Sequence, residues 1–166
     1  MASDTASPAR TRTLARPREI AAAGTLAGSL DILAAFTVWM TRGVLPTRVL
    51  QSVASGLLGR GAYEGGTPVA LLGLALHFTI AFGAAAVYYA LSRPFPLLVR
   101  WPLICGALYG IAVYFFMDYV VIPLSRFPRG PKWNPLSLAQ LSTGIPIHIV
   151  CIGLAISFMT SQRAAN

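Results

Sequence analysis

Four ionisable side chains stand alone in apolar surroundings: Asp31, His77, Asp118 and His148. Carboxyl and imidazole groups held together can pass protons, pair with a cation or ligate a metal. His77 lies inside a 28-residue run, Gly65 to Ser92, that contains no Asp, Glu, Lys or Arg. A run of that length reads as a transmembrane helix. The turn around it, Gly73-Leu74-Ala75-Leu76-His77, returns as Gly144-Ile145-Pro146-Ile147-His148. A lone carboxyl such as Asp31, roughly 13 Å from a helix end at about 1.5 Å per residue, costs at least about 2.5 kcal/mol on insertion scales. It must be protonated, paired or wetted.

The elements that position these groups follow from composition. Of the 166 residues, 55% are apolar and 11% charged, with a mean hydropathy of +0.65. A soluble domain this small has no room to bury so much apolar surface, so the bilayer is its solvent. The predicted fold is an all-α integral membrane protein with four transmembrane helices in a bundle. The spans run over about 20–40, 68–91, 101–123 and 136–159. A disordered basic tail, 1–18, precedes the membrane domain at 19–162, and 163–166 form a short C-terminal tail. The first apolar stretch is too long for a signal-peptide core, so it is read as an uncleaved span.

Residues 42–66 connect the first two spans. Pro46 suits a first helical turn. Val49, Leu50, Val53, Leu57 and Leu58 recur at threes and fours, with Arg48, Gln51, Ser52 and Ser55 between them. This predicts a short amphipathic connector helix. It either lies at the membrane surface as an interfacial elbow, the expectation favoured here, or is a re-entrant segment covering an internal site.

Gly24-x-x-x-Gly28 and Gly106-x-x-x-Gly110 predict close helix approach. With the glycine–histidine turns, they suggest a 2+2 internal repeat. Pro146 should kink the last span or free a carbonyl near His148. Counted from the span ends, Asp31, His77 and His148 share one depth and Asp118 is slightly shallower, so the four are expected to form one buried polar layer.

The net charge of +8 does not indicate nucleic acid. The basic residues sit in the tail and at helix ends, where lipid headgroups and membrane orientation account for them. Cys105 and Cys151 fall within spans and read as packing residues. No Gly-x-Ser-x-Gly, P-loop or dinucleotide motif occurs, so an enzyme is not expected. Four arginines precede the first span, which places both termini on the cytoplasmic side.

These features resemble the small bacterial inner-membrane proteins of the YagU type. The likeness lies in the glycine-rich first span, His77 with the run ending in Tyr88, Gly106-x-x-x-Gly110 leading to Ile122-Pro123-Leu124, and the last span with His148. It covers most of residues 20–160. The resemblance implies the four-span architecture and a bacterial inner membrane, and carries no established activity.

Three functions compete. The leading one is an accessory or scaffold subunit, with Asp–His pairs fixing helix register and the glycine faces meeting other membrane subunits or a second copy. Next is a small proton-coupled transporter or channel acting as a dimer. Last is a haem- or metal-binding membrane protein, with haem b held by His77 and His148, or a metal held by the whole Asp/His layer; no cofactor is otherwise predicted.

Overall fold

A computed structural model of the chain describes residues 17–130, 134 and 136–164. All regular structure among them is helical. Helix α1 covers Pro17–Met40, α2 Pro46–Leu58, α3 Gly66–Ser92 and the short α4 Leu97–Arg100. Helix α5 runs from Pro102 through a π-helical segment, Met117–Val121, to Leu124. Helix α6 runs from Leu138 through a second π segment, His148–Leu154, to Ala164.

Four of these helices, Pro17–Met40, Gly66–Ser92, Pro102–Leu124 and Leu138–Gln162, are long and apolar enough to cross a membrane. At about 1.5 Å per residue each exceeds the roughly 30 Å hydrocarbon core. The chain is therefore a multi-pass helical membrane protein. Pro17 opens α1 ahead of the predicted boundary. Proline is preorganised for a first turn, and Glu19 sits there at the positive end of the helix dipole. The last helix likewise continues to Ala164, inside the predicted tail. The rest of the predicted N-terminal tail, residues 1–16, lies outside the described residues.

Large and small side chains are sorted as lipid requires. Leu33, Leu71 and Leu108 are about 60% exposed, while Ala27, Ala85 and Ile156 are buried. With lipid tails as apolar as leucine, no hydrophobic force pulls large residues inward, and small residues win the helix contacts. Gly24 and Gly28 let α1 approach α3: a Cβ at Gly24 would strike Phe82, and one at Gly28 would meet the Phe78 ring at 2.9 Å. Gly106 and Gly110 do the same for α5 against α6, where they face Ser157, the Gly153 carbonyl and the backbone of His148 and Ile149. Ser157 adds a hydroxyl bond to the Pro102 carbonyl at 2.9 Å.

All four spans meet tightly near the end of the protein where α1 begins and α6 ends, here the terminal end. Ala23, Ala27, Ala85, Tyr88, Ile152 and Ile156 form a buried core there. The Tyr88 hydroxyl donates to the Leu98 carbonyl at 3.0 Å, and the Tyr109 hydroxyl to the Ala84 carbonyl at 2.7 Å. Their rings sit edge-on, 4.9 Å apart.

The opposite, connector end is covered by α2, which starts at Pro46 as predicted and packs one face on α3. Val49, Gln51, Ala54 and Ser55 are buried, whereas Leu45, Leu57 and Leu58 are exposed. The cause is a bare patch on α3: a Cβ at Gly73 would collide with the Leu50 carbonyl, so only glycine admits the α2 backbone. Gln51 then donates from Nε2 to the Gly66 carbonyl at 3.1 Å. At its other end the Gly56 carbonyl accepts from the Arg126 N–H at 2.8 Å. Gly59, with φ of 69°, ends α2 in a left-handed conformation open chiefly to glycine.

Candidate functional site: a polar cavity at the connector end

Between the connector and the closed terminal end lies a cavity of about 700 Å³. Asp31, His77, Asp118 and His148 all line it; Asp118 is buried and the other three are partly exposed. Its walls are mostly aliphatic: Ile32 and Val38 from α1, Ile80 from α3, Val113 and Met117 from α5, Ile152 from α6. Arg48, Val49, Ser52 and Val53 of α2 also face it, so the connector is a wall of the cavity.

The Asp–His hydrogen bonds expected from sequence are replaced by bonds to backbone. His77 donates from Nε2 to the Gly28 carbonyl at 2.8 Å, joining α3 to α1. His148 donates from Nδ1 to the Gly144 carbonyl at 2.9 Å, one turn back in its own helix. Both acceptors belong to glycines, whose missing side chains leave the carbonyl open to a second donor. A carbonyl only accepts, so these bonds fix the protonated nitrogen on each ring. The other nitrogen of a neutral ring, Nδ1 of His77 and Nε2 of His148, keeps its lone pair for a proton.

The two carboxyls sit in different settings. Asp118 is buried, 7% exposed, and shares a side-chain hydrogen bond with Tyr114, one turn earlier. The Tyr114 ring stands edge-on to His148 at 5.5 Å, so α5 and α6 contribute one connected group. A Cβ at Gly144 would run into that tyrosine ring. Asp31, by contrast, has a buried Oδ1 with no hydrogen-bond partner, the one such atom among the described side chains.

Sequence reasoning passed over several lining groups. Tyr114, Gln140 and Thr143 face the cavity, and Arg42, Arg48 and Tyr63 border its connector side. Arg42 stacks over Trp39 at 5.1 Å and Arg48 over Tyr63 at 4.2 Å. The available signal was helical spacing: Tyr114 precedes Asp118 by four residues, and Gln140 and Gly144 lie on one face of α6 with His148. Asp118 and His148 also both fall in π-helical segments. Pro146 and Pro123 each remove a backbone donor from the ladder beside them, and the His148 N–H is shared between the Gly144 and Ile145 carbonyls. Such bulges recur at functional sites.

The matched glycine–histidine turns do different work. Gly73 admits α2, while Gly144 admits Tyr114 and takes the His148 bond. Cys105 and Cys151 are free thiols. Among the described residues no group of three or more His, Cys, Asp or Glu is placed to hold a metal ion. The matched histidines also allow a graded test. His77→Phe keeps ring volume and loses an interhelical bond, worth about 0.6–2 kcal/mol. The detergent-solubilised variant should melt below wild type, and further below it than His148→Phe, whose bond stays within one helix. The reverse order would show that the His77–Gly28 bond carries no helix contact.

No protein-family model, curated protein or solved structure matches the chain.

Proposed function

We propose that this chain is a small proton-coupled membrane carrier, with the connector-end cavity as its binding site. One observation carries the reading. In a protein with few charges, four ionisable side chains from all four spans line a single cavity that α2 covers at one end and the tyrosine pair closes at the other. Ionisable residues facing a cavity at membrane depth are functional candidates by default, because their insertion cost must be recovered. A volume of about 700 Å³ with aliphatic walls and few polar groups suits a small organic molecule. The π segments at Asp118 and His148 supply the irregular backbone that membrane binding sites use.

The scaffold reading drew on free glycine faces, and those are spent inside the chain: Gly24, Gly28, Gly106 and Gly110 all meet neighbouring helices. Gly83 on α3 opens to free space. Four spans are few for a transport path, which favours a carrier built as a homodimer. The YagU-type motifs support a bacterial inner membrane, and the four arginines at the N-terminal end, Arg10, Arg12, Arg16 and Arg18, support cytoplasmic termini.

The test is proton movement in proteoliposomes loaded with pyranine. An imposed pH gradient should dissipate faster with the protein than without it. Asp118→Asn should reduce that excess rate at least about tenfold, the scale on which a general acid–base group acts. Vesicles as tight as protein-free controls would remove the carrier reading. An absorption spectrum of protein purified from its native membrane addresses the haem alternative. A Soret band lost in His77→Ala would put haem binding in its place.

A further inference from the structure

We propose that the cavity takes a compact organic monocarboxylate, with its charged head on Arg42 and Arg48 and its apolar body on the valines beneath them. This rests on the carrier reading above and names its ligand class.

Charge is unevenly placed around the cavity. Among the described residues, Arg42, Arg48, Arg60, Arg126 and Arg129 gather at the connector end, and Glu64 is the one acidic residue beside them. Arg42 and Arg48 line the cavity itself. Neither pairs with a carboxylate among the described residues. Both guanidiniums are nevertheless held in place. Arg42 stacks over Trp39 and Arg48 over Tyr63. Stacking uses the face of the planar group and leaves its edge, where the N–H donors lie, open to a planar acceptor. Arg48 spends one of those donors on the Tyr63 carbonyl at 2.9 Å, which fixes its direction. The remaining edge presents parallel donors at the spacing of carboxylate oxygens. Side chains already ordered in this way lose less entropy when a ligand arrives.

Beneath the arginines the wall turns apolar. Val38 lies four residues before Arg42, and Val49 and Val53 line the cavity from the same helix as Arg48. Val44 completes the collar. A mouth of one charge sign with low-dielectric walls concentrates its field, so exposed arginines hold an anion here more firmly than on an open surface. The carboxyls set the inner limit. Asp31 precedes Met40, the last residue of α1, by nine residues, or roughly 14 Å at about 1.5 Å per residue. Repulsion at that distance is weaker than attraction to guanidiniums in contact, so one negative charge is accepted at the mouth. A second, at the inner end of the ligand, would meet Asp31 and Asp118. On the carrier reading, one proton and one monoanion cross together and no net charge moves.

Calorimetry on the full chain in phosphatidylcholine nanodiscs tests this with three probes that share one apolar body: adamantane carboxylate, neutral adamantane carboxamide and adamantyl ammonium. At neutral pH the carboxylate should bind at least about tenfold tighter than the carboxamide, and the ammonium most weakly. Arg42→Gln and Arg48→Gln should each weaken the carboxylate at least about tenfold, the scale of one hydrogen bond to a charged group, and leave the carboxamide unchanged. Arg129→Gln, at the same end but outside the cavity lining, should leave both unchanged. Ammonium binding as tight as the carboxylate overturns the proposal and needs no variant to fold. Equal weakening by Arg129→Gln also overturns it, because the effect would then be general surface charge. Loss of carboxylate binding in discs containing phosphatidylglycerol would assign the arginines to lipid headgroups, and the proposal falls. If the carboxylate binds as stated while pyranine-loaded vesicles stay as tight as protein-free controls, the carrier reading falls and the anion site stands. If no probe binds while the vesicles conduct protons, the ligand class falls and the carrier reading stands.

Discussion

Gly153→Val should yield little folded protein, whereas Gly83→Val should be recovered at wild-type levels. Both glycines are mid-span, so helix propensity and insertion cost are nearly equal for the pair. They differ in what a side chain would meet. A Cβ at Gly153 would land on the Gly106 carbonyl and come within 2.8 Å of the Gly110 nitrogen. These are backbone atoms, so no rotamer change relieves the clash, and α5 and α6 must separate. Separation also breaks the Ser157 bond to Pro102 and moves His148, whose backbone packs on Gly110. Overpacking in ordinary cores costs about 1–3 kcal/mol. With backbone on both sides of the contact, this substitution belongs at or above the upper end of that range. At Gly83 the added atoms enter open space. Yield and thermal unfolding of the two variants in mild detergent decide the matter. A Gly153→Val protein that melts like wild type would mean that α5 and α6 do not meet at this glycine.

That contrast marks how far the sequence could be read. The spans were legible because bilayer thickness sets a minimum apolar length, and the observed helices overlap all four predicted ones. That Asp31, His77, Asp118 and His148 lie at comparable heights on their helices was also legible, because depth follows from counting residues along a helix of fixed rise, and all four line one cavity. Rotation of each helix was not legible. Whether His77 meets a carboxyl or the Gly28 carbonyl turns on an angle that spacing alone leaves open. Nor was the inward face of α2. In a soluble protein Leu57 and Leu58 would mark the buried side, but here they are exposed, and Gln51 and Ser55 are buried with Val49 and Ala54. The Gly73 that causes this inversion read as one member of a repeated turn. Only the partner across the contact, the Leu50 carbonyl, reveals its role.

The two carboxyls of the layer should respond to the same substitution with opposite signs. Asp31→Leu should stabilise the detergent-solubilised protein by about 1–3 kcal/mol, the cost of a buried polar group left unsatisfied, because it removes the Oδ1 that has no partner. Asp118→Leu should destabilise by a similar amount, because it takes away the hydrogen-bond partner of Tyr114 on a nearly closed wall. Thermal unfolding with van't Hoff analysis reads both changes. Asp31→Leu should at the same time lose proton movement in pyranine-loaded vesicles. A gain in stability joined to loss of that activity is what a carboxyl retained for its chemistry should show, since such a group persists against a standing energetic cost. A less stable Asp31→Leu protein would mean that Asp31 has a structural partner after all. A stabilised variant with full proton movement would leave Asp118, hydrogen-bonded to Tyr114, as the one carboxyl of the layer that handles the proton.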